Sequence, residues 1–180
     1  FRNEDGNFSF EPFWISSAYS YSYDVEVADF NDDGRHDVVV ANGYSNGASH
    51  IYLCCDSSDE LVISWTGLDD KTSTSVEVGD LDGDGLVDIL FTNNDWHSSV
   101  FHNDGTSTMF SENQTQGLSW GKSDAVIADL NQDGCNDVVF ADHKFPNLIT
   151  FCNGTANGLP TYRNSGSGWT GWGSSSDVEV

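Results

Sequence analysis

Apolar residues along this chain fall in short groups separated by clusters of Asn, Gly, Asp and Ser. In one such set Val25 and Val27 alternate with polar neighbours and Val38 to Ala41 runs unbroken. Ile51 and Leu53 then alternate again, and Leu61-Val-Ile-Ser-Trp65 is rich in β-formers. Alternation marks a strand with one wet face, and a short unbroken apolar run fits a strand covered on both faces. The clusters between them are turn chemistry. No window places apolar residues at helical spacing between helix caps, so the pattern predicts strands and essentially no helix.

The set repeats. Ala28-Asp-Phe-Asn-Asp-Asp-Gly-Arg-His-Asp37, Gly79-Asp-Leu-Asp-Gly-Asp-Gly-Leu-Val-Asp88 and Ala128-Asp-Leu-Asn-Gln-Asp-Gly-Cys-Asn-Asp137 superimpose. Their first aspartates, Asp29, Asp80 and Asp129, are spaced by 51 and 49 residues. Similar segments precede them (Asp24-Val-Glu-Val27, Ser75-Val-Glu-Val78, Asp124-Ala-Val-Ile127) and follow them (Val38-Val-Val-Ala-Asn42, Ile89-Leu-Phe-Thr-Asn93, Val138-Val-Phe-Ala-Asp142). A second mark reads Phe1-Arg-Asn, Tyr52-Leu-Cys, Phe101-His-Asn and Phe151-Cys-Asn, and the closing Asp177-Val-Glu-Val180 matches Asp24-Val-Glu-Val27. Four antiparallel strands at this period predict an all-β chain, a β-propeller of four-stranded antiparallel blades with about three and a half blades present. A β-solenoid, with shorter repeats, is the alternative. The expected divisions are 1–23, the end of a preceding blade; three blades at 24–74, 75–123 and 124–176; and 177–180, the start of the next.

The shared loop reads Asp-x-[Asn/Asp]-x-Asp-Gly-x-x-Asp. Oxygen donors at positions one, three and five converge only if the chain curls around a point, and glycine at position six permits the sharp turn. A carbonyl at position seven and the aspartate at position nine close the curl. Hard oxygen donors on a flexible loop select Ca²⁺ over Mg²⁺ or a transition metal. An EF-hand begins in the same way but needs glutamate at position twelve and flanking helices. Here position twelve is Val40, Phe91 and Phe140, between predicted strands. A single copy could be an ordinary acidic turn; three copies keeping Asp or Asn at every donor position point to a cation. Without one, like charges about 4 Å apart cost ~1 to 4 kcal/mol per pair near a surface.

Composition fits this picture. There are 29 acidic against 6 basic residues, a formal charge of -23, which argues against nucleic acid or an anionic membrane as partner. Aromatic residues make up 13%, too many for a disordered acidic tail. No apolar run is long enough to span a membrane, and the first residues show no basic segment followed by an apolar one. No Gly-x-Ser-x-Gly elbow, His-Glu-x-x-His or phosphate loop occurs, so no enzyme activity is expected of this stretch.

These repeats resemble the FG-GAP/VCBS family of calcium-binding propeller repeats, found in integrin α-subunit heads, many secreted proteins and some lectins. The Phe-Gly and Gly-Ala-Pro elements are replaced by Val39-Val-Ala-Asn-Gly and Leu90-Phe-Thr-Asn-Asn, which favours the VCBS-like branch. The resemblance implies three Ca²⁺ ions, one per loop. Their ligands would be Asp29, Asn31, Asp33, the Arg35 carbonyl and Asp37; Asp80, Asp82, Asp84, the Leu86 carbonyl and Asp88; and Asp129, Asn131, Asp133, the Cys135 carbonyl and Asp137. Family propellers close with about seven blades, so the stretch is expected to be a fragment, or a half-ring completed by a partner.

Calcium sites of this kind suit an extracellular setting. Sequons at Asn7, Asn113 and Asn153 are candidate glycosylation sites, with Asn7 and Asn153 in the same predicted turn of different repeats. If Val138 to Ala141 pairs with Leu148 to Phe151, Cys135 and Cys152 face each other and can form a disulfide. Cys54 and Cys55 are adjacent, and the expectation is either a bond between them or pairing outside this stretch. Trp14 and Trp65 share a repeat position, and with Trp120, Trp169 and Trp172 they either stack on sugar rings or, as the more economical reading, pack between blades. Asn94-Asp-Trp-His97, His50 and His143 are loop residues or sugar contacts rather than metal ligands. The expectation is a secreted, calcium-stabilised, non-enzymatic binding, adhesion or structural module. Its partners would be an extracellular protein, a carbohydrate or copies of itself. Alternatives are a lectin-like propeller and a non-catalytic propeller attached to an extracellular enzyme.

Overall fold

The computed structural model describes residues 3–8, 10–43, 47–54, 60–67, 72–94, 98–106, 108–110, 124–141, 147–156 and 159–164. Among these there is no helix, and every sheet is antiparallel with strands in chain order. A two-stranded hairpin, β1 (Asn3–Glu4) and β2 (Asn7–Phe8), precedes three larger sheets. The first comprises β3 (Tyr21–Ala28), β4 (Asp37–Gly43), β5 (Ser49–Cys54) and β6 (Leu61–Gly67). The second comprises β7 (Ser73–Gly79), β8 (Asp88–Asn93) and β9 (Ser99–Phe101). The third comprises β10 (Asp124–Ala128), β11 (Asp137–Ala141), β12 (Leu148–Ala156) and β13 (Leu159–Asn164). The second sheet thus has three strands among the described residues, and residues 111–123, which complete the second repeat, lie outside them.

The leading strands β3, β7 and β10 lie side by side, so the sheets stack face to face. Each acidic loop closes the hairpin between the first two strands of a sheet, with Ala28 opposite Asp37, Gly79 opposite Asp88 and Ala128 opposite Asp137. Packing follows the alternation of side chains. On β8, Ile89 and Phe91 face the first sheet, where they meet Val39, Ala41, Ile51 and Trp65. Leu90 faces the third, against Val138 and Phe140. All six residues of β8 are buried, and its apolar run Ile89-Leu-Phe91 is covered on both faces.

The two described tryptophans that share a repeat position serve packing. Trp65 on β6 meets Phe101 of the next sheet edge-on at 4.9 Å and lies parallel to Phe91 at 6.3 Å. Trp14 meets Tyr52 edge-on at 5.2 Å. Tyr52 and Phe101 are themselves equivalent, since they pair with Val38 and Ile89. One contact therefore recurs in successive repeats. Trp120, Trp169 and Trp172 lie outside the described residues.

Several sequence expectations shift in detail. The third repeat's aromatic mark is displaced by one residue, because Thr150, not Phe151, pairs with Val138. Asn7 lies in β2 and Asn153 in β12, at the register shift between Cys152 and Thr155, rather than in a shared turn. His50 sits within β5 and bonds Thr66 Oγ1 through Nδ1 at 3.1 Å, so it is a strand residue. Asn113, Cys55, His97, His143 and residues 177–180 lie outside the described residues.

Candidate metal centres

The three loops share one internal design. At position one, Asp29, Asp80 and Asp129 each accept from the backbone amide of the position-six glycine: Gly34 at 2.7 Å, Gly85 at 2.9 Å and Gly134 at 2.9 Å. At position five, Asp33, Asp84 and Asp133 accept from the amides of Arg35, Leu86 and Cys135 at 2.9, 2.8 and 3.0 Å. These bonds need a left-handed backbone at position six, where Gly34, Gly85 and Gly134 have φ of 83, 89 and 87°. Position four is left-handed as well, and Asp32 and Gln132 adopt it with φ of 56 and 61°. The pattern in sequence gave notice only of the glycine at position six.

Position nine has a second task. Asp37, Asp88 and Asp137 are fully buried. One oxygen of each accepts from the amide of position two: Phe30 at 3.0 Å, Leu81 at 2.7 Å and Leu130 at 3.0 Å. The other accepts from a residue in or beyond the third strand: Cys54, Asn103 or Cys152, each at 2.8 Å. This carboxylate clasps the loop to its own sheet, and its remaining lone pairs are what it can offer an ion. Burial raises the pKa of Asp37, opposed by its bonds from the Cys54 and Phe30 amides.

The loops differ in the donors around the central space. Asn31 and Asn131 donate from Nδ2 to Asp33 and Asp133 at 3.2 and 3.0 Å. In the first loop Arg35 also reaches Asp33, with Nη2 at 3.2 Å from Oδ2, and holds that carboxyl below the usual range. The second loop has Asp82 in place of asparagine and no cationic side chain of its own. Its Asp80, Asp82 and Asp84 offer carboxylate oxygens within 4.8 Å of one another, a donor set that fits a hard dication. Burial raises the pKa of Asp82, helped by the charge of Asp88.

His102 is the neighbour that sequence reasoning missed. It follows β9, where Ile89 pairs with Phe101, so the next residue lies across from Asp88. Its Nδ1 is 3.3 Å from Asp88 Oδ2 and 3.6 Å from Asp82 Oδ2. Burial alone would lower its pKa; the bond to Asp88 and the charges of Asp88, Asp82 and Asp84 outweigh that and raise it. The signal lay in the register, since the residue after the third-strand aromatic meets position nine of the loop.

The third loop carries a covalent tie. Cys135 at position seven is disulfide-bonded to Cys152, with Cα atoms 5.9 Å apart. Disulfides persist in oxidising compartments. No helix among the described residues is long and apolar enough to cross a membrane.

Residues 22–53 match the FG-GAP repeat, and residues 80–140 match the FG-GAP-like repeat. The chain carries FG-GAP repeats. Such repeats imply propeller blades, in agreement with the stacked antiparallel sheets and their aligned leading strands. No curated protein matches the sequence.

Proposed function

We propose that this FG-GAP chain is part of a secreted, calcium-stabilised propeller that serves as a non-enzymatic binding or structural module. The observation that carries the reading is the loop that recurs at Asp29, Asp80 and Asp129. Each joins the first two strands of its sheet and is clasped to the third-strand side by a buried aspartate. The ligands would be the position-one, -three, -five and -nine side chains, with the carbonyls of Arg35, Leu86 and Cys135. Calcium supplies charge neutralisation where several carboxylates crowd one loop, and an ion that binds only the folded state stabilises it by mass action.

The finer fold follows the same reasoning. Val76 and Ala125 are 0% and 4% exposed where one sheet packs on the sheet before it, whereas their equivalent Val25 is 54% exposed. Tyr21, Tyr23 and Val27 share this open character. A further blade against β3 would cover them, as expected for a ring closed by more blades. The ligand would be an extracellular protein or carbohydrate, or copies of the same chain. Attachment to an extracellular enzyme is the other use compatible with the repeats. Sugar stacking loses support at Trp14 and Trp65, whose rings are engaged with Tyr52 and Phe101.

Calorimetric titration with Ca²⁺, followed by melting with and without chelator, tests the reading. Three sites and a melting midpoint lowered by chelation are expected. A chain that binds no calcium and melts identically in both conditions would refute it.

A further inference from the structure

The second loop faces a donor that the other two lack. The residues equivalent to His102 are Leu53 and Phe151, by the registers that pair Val38 with Tyr52 and Val138 with Thr150, and neither carries a ligand atom. The side chains of His102, Asp82 and Asp88 are 10%, 11% and 0% exposed, so the three groups converge nearly out of water. One ligand atom from each lies within 4.8 Å of the others.

We propose that the second loop is a mixed nitrogen–oxygen site in which His102 Nδ1, Asp82 and Asp88 take a tetrahedral transition-metal dication of the zinc class. The spacing admits this class. Tetrahedral bonds of 2.0–2.1 Å put ligand atoms about 3.3–3.4 Å apart, and His102 Nδ1 lies 3.3 and 3.6 Å from the two carboxylate oxygens. The chemistry agrees, because imidazole nitrogen suits zinc and its neighbours in the transition series, whereas calcium takes oxygen donors. A fourth position remains for water. Asp82 and Asp88 belong to the calcium donor set as well, so the two ions exclude each other at this loop alone. His102 Nε2 is out of water and has no partner among the described residues. A ring bound through Nδ1 carries its proton there, and a missing outer partner costs about 10–100-fold in affinity. Zinc binding about 10–100-fold weaker than at a site with that outer partner is therefore expected.

This inference rests on the reading of the loops as cation sites, and the test separates the two. The full chain is saturated with calcium and titrated with Co²⁺, whose visible bands report tetrahedral geometry, and then with Zn²⁺ by calorimetry. One Co²⁺ per chain with tetrahedral bands, displacing one calcium, is expected. His102→Gln should lose those bands and at least tenfold in Zn²⁺ affinity while keeping its calcium stoichiometry. Equal Zn²⁺ affinity in the wild type and His102→Gln, or octahedral cobalt bands, overturns the proposal and leaves calcium binding standing. Absence of calcium binding with the cobalt result intact overturns the calcium reading instead. Where His102→Gln fails to fold, imidazole ¹⁵N spectra of the wild type decide: zinc must shift Nδ1 of His102, and an unshifted ring refutes the site.

Discussion

The side-chain amide of Asn136 donates to the main-chain carbonyl of Asp80 at 2.8 Å, so the eighth residue of the third loop holds the first residue of the second. A similar bond runs between the other pair of sheets, from Asn103 Nδ2 to the Phe30 carbonyl at 2.8 Å. Asn103 is itself bound through its backbone amide to Asp88. The three acidic loops are thus joined in a row by asparagine amides, on the same edge of the stacked sheets.

Replacing either asparagine should therefore weaken packing between sheets without touching a candidate ligand. Asn103→Ala strands the buried Phe30 carbonyl and should cost about 1–2 kcal/mol, and Asn136→Ala strands the part-buried Asp80 carbonyl and should cost about 0.5–1 kcal/mol. Urea unfolding of each variant measures this. Stability equal to that of the wild type would show that water replaces the amide at no cost.

The two tasks of the loop aspartates can be separated by substitution. Asp137 is buried and accepts from Leu130 and Cys152, so Asp137→Ala strands two amides and should cost about 2–4 kcal/mol with or without calcium. Asp84 is exposed and bonds only within its turn. Asp84→Ala should change stability in chelator by less than about 1 kcal/mol, remove one calcium site and leave the other two. Three calcium sites persisting in Asp84→Ala would contradict the ligand assignment.

How much of this was legible in the sequence depends on what each residue's role requires. The loops were legible because curling oxygen donors around a point demands Asp or Asn at alternate positions and glycine at the sixth, and these recur. Strands β4, β8 and β11 were legible because burial on both faces demands unbroken apolar runs. The clasp made by Asp37, Asp88 and Asp137 was not separable from ligation, since an aspartate that accepts from amides and one that binds an ion look alike as letters. His102 was hidden because its role depends on the register of β8 against β9. The one-residue displacement at Thr150 had a similar cause: Phe151 matched the aromatic mark by residue type, but pairing follows the hydrogen-bond ladder.

The Cys135–Cys152 bond should matter to stability as well as mark the compartment. It closes a segment with a sequence separation of 17, tying the third loop to β12. Chain-entropy reasoning assigns a loop of this size about 3 kcal/mol. Peptide mapping without reduction should recover the linked pair. Cys135→Ser with Cys152→Ser should lower stability by up to that amount, while calcium still binds the first two loops. Free thiols at both positions in protein from its native source would exclude the oxidising compartment.

Glu77 provides the clearest dependence on pH. It lies on β7, with β3 on one side and β10 on the other. Burial, reinforced by the charges of Glu26, Asp124 and Asp24, raises its pKa from 4.5 to about 7. Two of these neighbours are fixed beside it, Asp124 by Ser75 Oγ at 2.7 Å and Asp24 by the Val76 amide at 3.1 Å. Below pH 4.5 the carboxyl is protonated in folded and unfolded chains alike and contributes nothing to the difference. Between 4.5 and about 7 the folded chain binds a proton that the unfolded chain has released, so this contribution to stability falls as pH rises through the window. Above it the group is charged in both states and the full penalty applies. Glu77→Gln, which cannot ionise, should match the wild type near pH 4. It should exceed it near pH 8 by on the order of 1 kcal/mol, once solvent screening of a half-exposed group is allowed for. Urea unfolding of both proteins across this range in chelator gives the difference directly, because the remaining carboxylates are common to both. A gap between the two that stays constant with pH would show that Glu77 ionises as freely in the folded chain as in the unfolded one.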